Sequence, residues 1–317
     1  MCVDGKRFLA YHQKLSNDDD RPAMIIFVSD IGIKILSKSK RWHADGTFKV
    51  VPKPKGFYQL YIIHAYYKHV LLPCVYALLT GKDTRDYKYL ILQLKEAALN
   101  FGAELQPKYI MVDFESAVMN AFKYHFPTIT IRTCMFHLAQ SFYRKLVECG
   151  FKTQYVDNKH LNTWFKKVIA LSLIPPSKVA DIFVELLEEM HDKFDLQGEF
   201  KCLENFVDYV LLNYIGDDAT PTFPIELWNH FDANERTNND VEAYNYRLNT
   251  VIGPHKNIWT FIKKIKTEES ATQIKFLRIE NETFRKRERN SKDIKRDLKI
   301  SECKVSYFSN KITLNEY

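Results

Sequence analysis

The order of the hydrophobic patterns constrains the fold of this chain most. Short apolar segments typical of strands fill the first part, and only helical periodicity follows from about residue 137 to 214. Strands first and a helical block before the last elements predict an α/β core interrupted by a helical insertion. The predicted strands are 24–28, 42–51, 59–67, 70–79, 109–113 and 128–133, and the predicted helices are 31–36, 87–99, 136–147, 161–174, 179–190, 202–214 and 259–298.

These patterns also predict where one part of the chain ends and the next begins. A further helix is expected after the strand at 109–113, with Ser116 as its cap. The predicted parts are a polar lead-in at 1–23, the first part of the core at 24–136, a helical insertion at 137–225, the last part of the core at 226–270, and a basic C-terminal helix and tail at 271–317.

Composition indicates a protein of a reducing compartment without a membrane partner. The six cysteines are scattered and lack the close spacing of a disulfide framework. The N-terminus carries Asp4, Lys6 and Arg7 and has no apolar segment of the kind that secretory signals contain. The most apolar stretch, 70–79, is too short to span a bilayer. A soluble intracellular protein is expected.

The positive charge is concentrated near the C-terminus. Residues 256–299 hold 14 Lys and Arg against 7 Asp and Glu, and this excess equals the net charge of +7 of the whole chain. Such a stretch suits a polyanion such as DNA, although a solvated charged helix is the commoner reason for a charge run and stays open. The candidate DNA contacts in it are Lys263, Lys264, Arg285, Lys286 and Arg287.

Two aspartates lie where predicted strands end. Asp45 belongs to the sequence Ala-Asp-Gly-Thr-Phe-Lys, and Asp113 ends the apolar run at 109–113. If these strands are parallel neighbours, both carboxylates lie at one edge of the sheet, where ligands of open α/β sheets bind. A turn or cap role is the alternative for each aspartate alone.

Glu242 is the third carboxylate, on a predicted helix. Its helix carries an apolar face and a separate polar stripe at i, i+4, i+7 and i+11, formed by Asn238, Glu242, Asn245 and Asn249. Such a stripe fits a metal ligand with hydrogen-bonding neighbours, or else a solvent-facing surface with Asn238 or Asn239 as N-cap. Three carboxylates suit Mg²⁺ or Mn²⁺, and two such ions can clamp both oxygens of a phosphodiester exchange. Glu115 and Glu235 are lower-ranked candidate ligands.

Cys134 and His137 form a C-x-x-H pair just after a predicted strand. The pair is a weak zinc signal, because structural zinc needs four ligands and no partner pair is obvious. A buried thiol beside a polar histidine is the favoured local interpretation. The functional alternative is that His137 faces the carboxylates and helps to position DNA.

Four segments in order resemble the Mutator-like element (MULE) transposases. They contain Asp45-Gly-Thr-Phe-Lys, Val-Asp113-Phe-Glu, Cys134-Met-Phe-His-Leu-Ala-Gln and Arg236-Thr-Asn-Asn-Asp-Val-Glu242, within about residues 24–265. The resemblance implies an RNase H-like core with an acidic triad and a helical insertion before the last acid. It also implies that Asp45, Asp113 and Glu242 hold two Mg²⁺ or Mn²⁺ ions. The family's C-x-x-H, matched by Cys134 and His137, lies near this site and the DNA end.

The activity implied by the resemblance is that of a DDE-type DNA transposase. It cuts double-stranded DNA at terminal inverted repeats and joins the freed 3′-hydroxyl to target DNA in the nucleus, in many cases as a homo-oligomer. Arg285-Lys-Arg-Glu-Arg is a weak import signal at best. Two rival functions stay open: a domesticated or defective transposase-derived DNA-binding or regulatory protein without catalysis, and a structure-specific nuclease that cuts without joining.

The chain departs from the family pattern in two places. Ala243-Tyr244-Asn245 follows the glutamate, where the family often has a histidine, so no role for that histidine carries over. No paired Cys/His spacing of the family's N-terminal zinc finger precedes Asp45. The expectation is therefore a truncated copy, a fragmentary gene model, or end recognition by a partner or by the chain's own tail.

Overall fold

A seven-stranded mixed sheet forms the core of residues 1–277. In this computed structural model its strands are β3 (Leu9–Gln13), β4 (Met24–Val28), β5 (Arg41–Thr47), β6 (Gln59–Tyr67), β7 (Val70–Leu79), β8 (Tyr109–Val112) and β9 (Thr130–Thr133). Their order across the sheet is β3-β4-β7-β6-β5-β8-β9. The short strands β1 (Cys2–Val3) and β2 (Lys6–Arg7) form a separate antiparallel pair.

The structure describes most of the chain, in two compact units. The described residues are 2–3, 6–13, 22–52, 56–216, 220–233, 236–254, 256–285, 290–309 and 311. The first unit is Met1–Leu277 and the second is Arg278–Tyr317. Glu235, Lys286 and Arg287, which the sequence singled out, lie outside the described residues.

The sheet contains both antiparallel and parallel strand pairs. The neighbouring strands β3, β4, β7, β6 and β5 pair antiparallel, whereas β5, β8 and β9 run parallel. The middle of the sheet is covered on both faces, and nine of the ten residues of β7 are buried. With flanking helices, this is an α/β fold of the RNase H-like type, and the predicted fold class is confirmed.

Helices cover both faces of the sheet. The first three are α1 (Asp30–Lys38), α2 (Thr84–Asn100) and α3 (Ser116–His125). α2 begins with a capping box in which the side chains of Asp83 and Asp86 each accept a backbone N–H of the other. Tyr87 of α2 then packs on Tyr61 of β6, with ring centroids 5.0 Å apart.

In the insertion between β9 and the glutamate helix, the described residues form helices and loops and no strand. Its helices are α4 (Met135–Glu148), α5 (Lys152–Asp157), α6 (Lys159–Ala170), α7 (Val179–Lys193), α8 (Leu203–Val210) and α9 (Ile225–Trp228), with short 3₁₀ segments at Leu171–Leu173 and Pro176–Lys178 and a π segment at Leu211–Ile215. Aromatic rings fill its core, where Phe142 contacts Phe206 and Tyr214. Phe114, next to Asp113, packs on Tyr214 and Phe223, which joins the insertion to the end of β8.

Two further helices, α10 (Asn239–Ile252) and α11 (Ile258–Glu280), follow the insertion. Leu248 and Ile252 of α10 share one buried cluster with residues of α11 and of the sheet. From α11 these are Phe261, Ile262 and Ile265, and from the sheet Phe27, Leu60, Ile62, Tyr76 and Leu78. Burial of this face fixes α10 over the strands, and α10 carries Glu242.

The unit Arg278–Tyr317 contains α12 (Ser291–Phe308). Arg296 and Asp293 form an exposed ion pair one turn apart on it, at 3.1 Å. In the described parts of the chain, no helix has both the length and the apolar character needed to cross a membrane.

Five expectations from sequence differ from the structure. The single helix predicted at 259–298 is two helices, since α11 ends at Glu280 and α12 begins at Ser291. Residues 9–13, assigned to the polar lead-in, form an edge strand paired with β4, and the neighbouring Phe8 is fully buried. Ser116 is the first residue of α3, and its N-cap is Glu115, which makes no side-chain capping bond. The strand predicted at 42–51 ends at Thr47. The boundary placed after residue 270 falls inside α11.

Gly32 of α1 gives a prediction about packing. A Cβ at this position would lie 2.8 Å from the carbonyl oxygen of Cys74. Gly32→Ala gains about 1 kcal/mol of helix propensity, but we expect a net loss in the free energy of unfolding, because overpacking costs roughly 1–3 kcal/mol. Urea denaturation of this variant beside Ser37→Ala in the same helix measures the effect. A more stable Gly32→Ala protein would contradict the close approach.

Candidate functional site

Side-chain hydrogen bonds join strand β5 to helix α10. Asn245 donates to Oδ2 of Asp45 at 2.6 Å. A further side-chain contact lies on each side of this bond. These two contacts are Nδ1 of His43 with Oδ1 of Asn238 at 2.9 Å, and Oγ1 of Thr47 with Oδ1 of Asn249 at 3.3 Å. We call the three contacts the β5–α10 ladder.

The side-chain periodicity of a strand and that of a helix together explain the ladder. Alternate residues of a strand point to one face, so the side chains at 43, 45 and 47 project together. Residues 238, 245 and 249 share one stripe of the helix. Glu242 lies on that stripe between Asn238 and Asn245. The predicted polar stripe therefore faces the strand and not solvent.

Asp45 and Asp113 lie side by side across β5 and β8. The parallel register pairs Arg41 with Tyr109 and His43 with Met111, and its continuation sets Asp45 beside Asp113. Burial and the charge of Asp113 raise the pKa of Asp45 to about 7, although the N–H of Gly46, at 2.7 Å, and the amide of Asn245 favour its charged form.

His137 lies between the other two carboxylates. Its Nδ1 is 2.8 Å from Oδ1 of Asp113, and its Nε2 is 3.7 Å from Oε1 of Glu242. The first contact has the distance of an ion pair but not the alignment of a hydrogen bond, since both atoms lack a hydrogen-bond partner within the described residues. Burial disfavours the imidazolium, yet Asp113 and Cys134 outweigh burial and raise the pKa of His137 to about 10.

The carboxylates retain unused acceptor atoms. Oδ1 of Asp113 and Oε1 of Glu242 are buried and accept no hydrogen bond from the part of the chain that the structure describes. Burial also raises the pKa of Glu242, while the charge of His137 lowers it and that of Asp113 raises it. Two buried oxygens without donors, beside a third carboxylate, fit hard cations such as Mg²⁺ or Mn²⁺.

The three carboxylates do not form one compact group of ligand atoms among the described residues. Among the described residues, the group of three ligand-type side chains whose ligand atoms all lie within 4.8 Å of one another is Cys134, His137 and Glu242, not the three carboxylates. A pair of ions about 3.5–4 Å apart does not require every carboxylate to touch every ion. Asp45, Asp113 and Glu242 can therefore share such a pair between them.

Cys134 connects the start of α4 to the approach to α10. It is fully buried, and its Sγ accepts the backbone N–H of Asn238 at 3.2 Å. Beside it, the N–H of Met135 donates to the carbonyl oxygen of Arg236 at 2.9 Å. These bonds hold the first turn of α4, with His137, against the first turn of α10, with Glu242.

The remaining candidates lie elsewhere. Both carboxylate oxygens of this lower-ranked acid, Glu115, accept from the hydroxyl of Tyr87 at 3.2 Å, so its acceptor atoms already have a partner. Lys263 and Lys264 are on α11, the first exposed and the second half-buried. Arg285 belongs to the unit Arg278–Tyr317. Sequence reasoning missed His43 and Thr47, although polar residues at every second position of a buried strand were a usable signal.

The comparison with protein families bears on the origin of the chain. The family model of the MULE transposase domain matches residues 41–141. The matched residues, about a third of the chain, are similar to the MULE transposase domain. The match confirms the resemblance seen in the motifs over that part of the chain. A search of the curated proteins finds no match to this chain.

The matched MULE domain extends from β5 into α4. It includes Asp45, Asp113, Cys134 and His137 but ends about one hundred residues before Glu242. The place of Glu242 beside the MULE domain's aspartates therefore rests on the β5–α10 ladder and on its distance to His137. The position of Glu242 in the site is therefore known from the structure and not from the family match.

The raised pKa of Asp45 predicts how Asp45→Asn changes stability without metal. Asp45 ionises near 4 when unfolded but near 7 when folded, so the wild type loses stability as pH rises through this window and regains none above it. In chelator at pH 8, Asp45→Asn should be more stable by about 2–4 kcal/mol, at about 1.4 kcal/mol per pKa unit. The gain should vanish at pH 4, and thermal denaturation across this range measures it.

Added Mg²⁺ supplies the control for that prediction. A cation that binds only the folded wild type stabilises it by about 2.7 kcal/mol at one hundred times its dissociation constant, so Mg²⁺ should reverse the order at pH 8. A variant that gains no stability in chelator at any pH would contradict the close pairing of Asp45 with Asp113.

Asn238 gives a second prediction about the ladder. Asn238→Ala leaves the buried Nδ1 of His43 without this acceptor, which should cost roughly 1–3 kcal/mol in the free energy of unfolding. The matched control is Asn239→Ala, at the exposed neighbouring position. Chemical denaturation of both variants measures the difference. Equal stabilities would show that the contact does not hold α10 in place.

Proposed function

We propose that this protein is a DDE-type DNA transposase that cuts DNA at terminal inverted repeats and transfers the strand to target DNA. The observation that carries the proposal is the convergence of Asp45 and Asp113, inside the matched MULE domain, with Glu242 on α10. A protein that only binds DNA has no need for three acids held so that their charges oppose one another. That opposition costs stability unless cations are bound.

The residues of the site have different roles in the proposed reaction. Asp45, Asp113 and Glu242 would hold Mg²⁺ or Mn²⁺, which supply Lewis-acid stabilisation of the phosphodiester and of the attacking oxygen. The β5–α10 ladder orients Asp45 and Glu242 before DNA arrives. His137, whose side chain is 19% exposed, lies beside two of the proposed ligands and would contact a phosphate of the bound DNA end.

Double-stranded DNA is the proposed partner, both as transposon end and as target. Lys263 and Lys264 on α11, with Arg285 and its basic neighbours in sequence, would contact phosphates. A DNA substrate implies a nuclear protein. Pairing of two transposon ends implies a homo-oligomer. These partner and localisation proposals depend on the proposed activity.

The experiment that tests the proposal compares Asp113→Asn with Glu115→Gln. DNA bearing the flanking inverted repeats is incubated with Mg²⁺ or Mn²⁺, and cleaved and joined products are separated on sequencing gels. Asp113→Asn should lose more activity than the roughly 10–100-fold typical of residues outside the ligand set. Glu115→Gln is the matched acid nearby whose carboxylate faces Tyr87, and it should retain cleavage.

Each other outcome rejects a defined part of the proposal. Equal activity of wild type and Asp113→Asn would exclude Asp113 as a ligand. Metal-dependent cutting without joining would favour a structure-specific nuclease. DNA binding without cleavage, by a folded wild-type chain, would favour a domesticated or defective transposase-derived protein.

The salt dependence of DNA binding tests whether Lys263 binds a phosphate. Removal of one lysine–phosphate ion pair should lower the slope of log affinity against log salt concentration by about 1. Lys263→Ala should show this change on any DNA sequence, because phosphate contacts do not read bases. Lys201→Ala, an exposed lysine of the insertion, serves as control. An unchanged slope for Lys263→Ala would remove α11 from the DNA-binding surface.

A further inference from the structure

Two side chains beside the carboxylates form, together with Glu242, a ligand set of a different chemical character. Cys134 and His137 come from the start of α4, and Glu242 comes from the first turn of α10. Their Sγ, ring nitrogen and carboxylate oxygen all lie within 4.8 Å of one another. A thiol, an imidazole and one carboxylate are the ligands of zinc and not of magnesium. The third ligand that the C-x-x-H pair lacks in sequence is supplied by a residue 105 positions after His137.

The distance between His137 and Glu242 is close to that of two ligands in a tetrahedral site. Zinc binds nitrogen and oxygen at about 2.0–2.2 Å and sulfur at about 2.3 Å, so two ligand atoms on one ion lie roughly 3.3–3.6 Å apart. Nε2 of His137 and Oε1 of Glu242 are 3.7 Å apart. A shift of a few tenths of an ångström in side-chain torsions brings this pair to the spacing that zinc requires.

Asp113 and Asn238, which are outside the ligand set, lie where supporting groups lie around zinc ions in proteins. Asp113 lies 2.8 Å from Nδ1 of His137, which leaves Nε2 to face Glu242, and a carboxylate on the far nitrogen orients a zinc-bound histidine. The N–H of Asn238 donates to Sγ of Cys134 and so orients this sulfur. The side chains of His137 and Glu242 are 19% and 31% exposed, which gives an ion a path from solvent.

We propose that Cys134, His137 and Glu242 form a Zn²⁺ site with one open coordination position. Since the proposed transposase uses Glu242 for Mg²⁺ or Mn²⁺, zinc at this site removes a catalytic ligand and inhibits DNA cleavage. That second statement rests on the proposed function, whereas the binding site itself does not. Binding of zinc displaces the protons of the Cys134 thiol and of Nε2 of His137, and no electron is transferred.

Cobalt is the probe that tests the site without DNA. Co²⁺ replaces zinc in tetrahedral sites, and a thiolate ligand gives it a charge-transfer band in the near ultraviolet that carboxylates alone do not give. Titration of the full chain with Co²⁺ should produce this band, and Zn²⁺ should abolish it by competition. Cys134→Ser should lose the band, whereas Cys149→Ser, which removes a half-buried thiol elsewhere, should keep it.

A second pair of variants covers the possibility that Cys134→Ser does not fold. His137→Asn and Glu242→Gln keep the thiol and should weaken Co²⁺ binding by more than about 100-fold, since loss of a group that only orients a ligand costs about 10–100-fold. Circular dichroism confirms that each variant is folded. A wild-type chain without the band, or unchanged affinity in both variants, would overturn the site.

The two proposals fail separately. A chain that binds Co²⁺ through Cys134 but never cuts DNA leaves the zinc site standing and removes the transposase reaction. A chain that cuts DNA with Mg²⁺ but shows no Cys134-dependent band removes the zinc site alone. If both hold, micromolar Zn²⁺ added at fixed Mg²⁺ should inhibit cleavage, and a chelator selective for zinc should restore it.

Discussion

The β5–α10 ladder is the interaction on which the site depends. Its three hydrogen bonds connect a strand in the middle of the sheet to a helix that arrives after an insertion of about one hundred residues. Apolar packing alone would bring α10 to the sheet through Leu248 and Ile252 but would not set its rotation about its own axis. The ladder sets that rotation, and with it the direction of Glu242.

Electrostatic opposition is the second property of the site. Asp45, Asp113 and Glu242 are partly shielded from water, and the charge of one raises the pKa of another. Without a cation, His137 offsets part of this charge through Asp113 and Glu242. The arrangement is therefore unfavourable by itself and becomes favourable when positive charge enters, which is the expected behaviour of a cation site. The same imidazole, with Cys134, gives the site a softer set of ligands on one side.

Much of this could be predicted from the sequence, for identifiable reasons. Apolar runs bounded by turns gave the strands Gln59–Tyr67 and Val70–Leu79 their observed bounds. Helical spacing placed Asn238, Glu242 and Asn245 on one stripe. What spacing within one element cannot give is the partner across the fold. The contacts of His43 with Asn238, and of Cys134 with the backbone of Asn238, join segments at least one hundred residues apart. The edge strand Leu9–Gln13 was missed because a polar segment follows it and its residues are at most half-buried, so it has no fully apolar run.

The most direct test of the central claim is the position of Mn²⁺ in crystals of this protein, measured by anomalous scattering at the manganese absorption edge. The account predicts peaks at about 2.0–2.3 Å from carboxylate oxygens of Asp45, Asp113 and Glu242, within the range of hard-cation ligand distances. Peaks found only elsewhere, in well-ordered crystals at saturating Mn²⁺ and pH 8, would contradict it. In that case the three acids would be a structural cluster, and the catalytic interpretation of the site would be rejected.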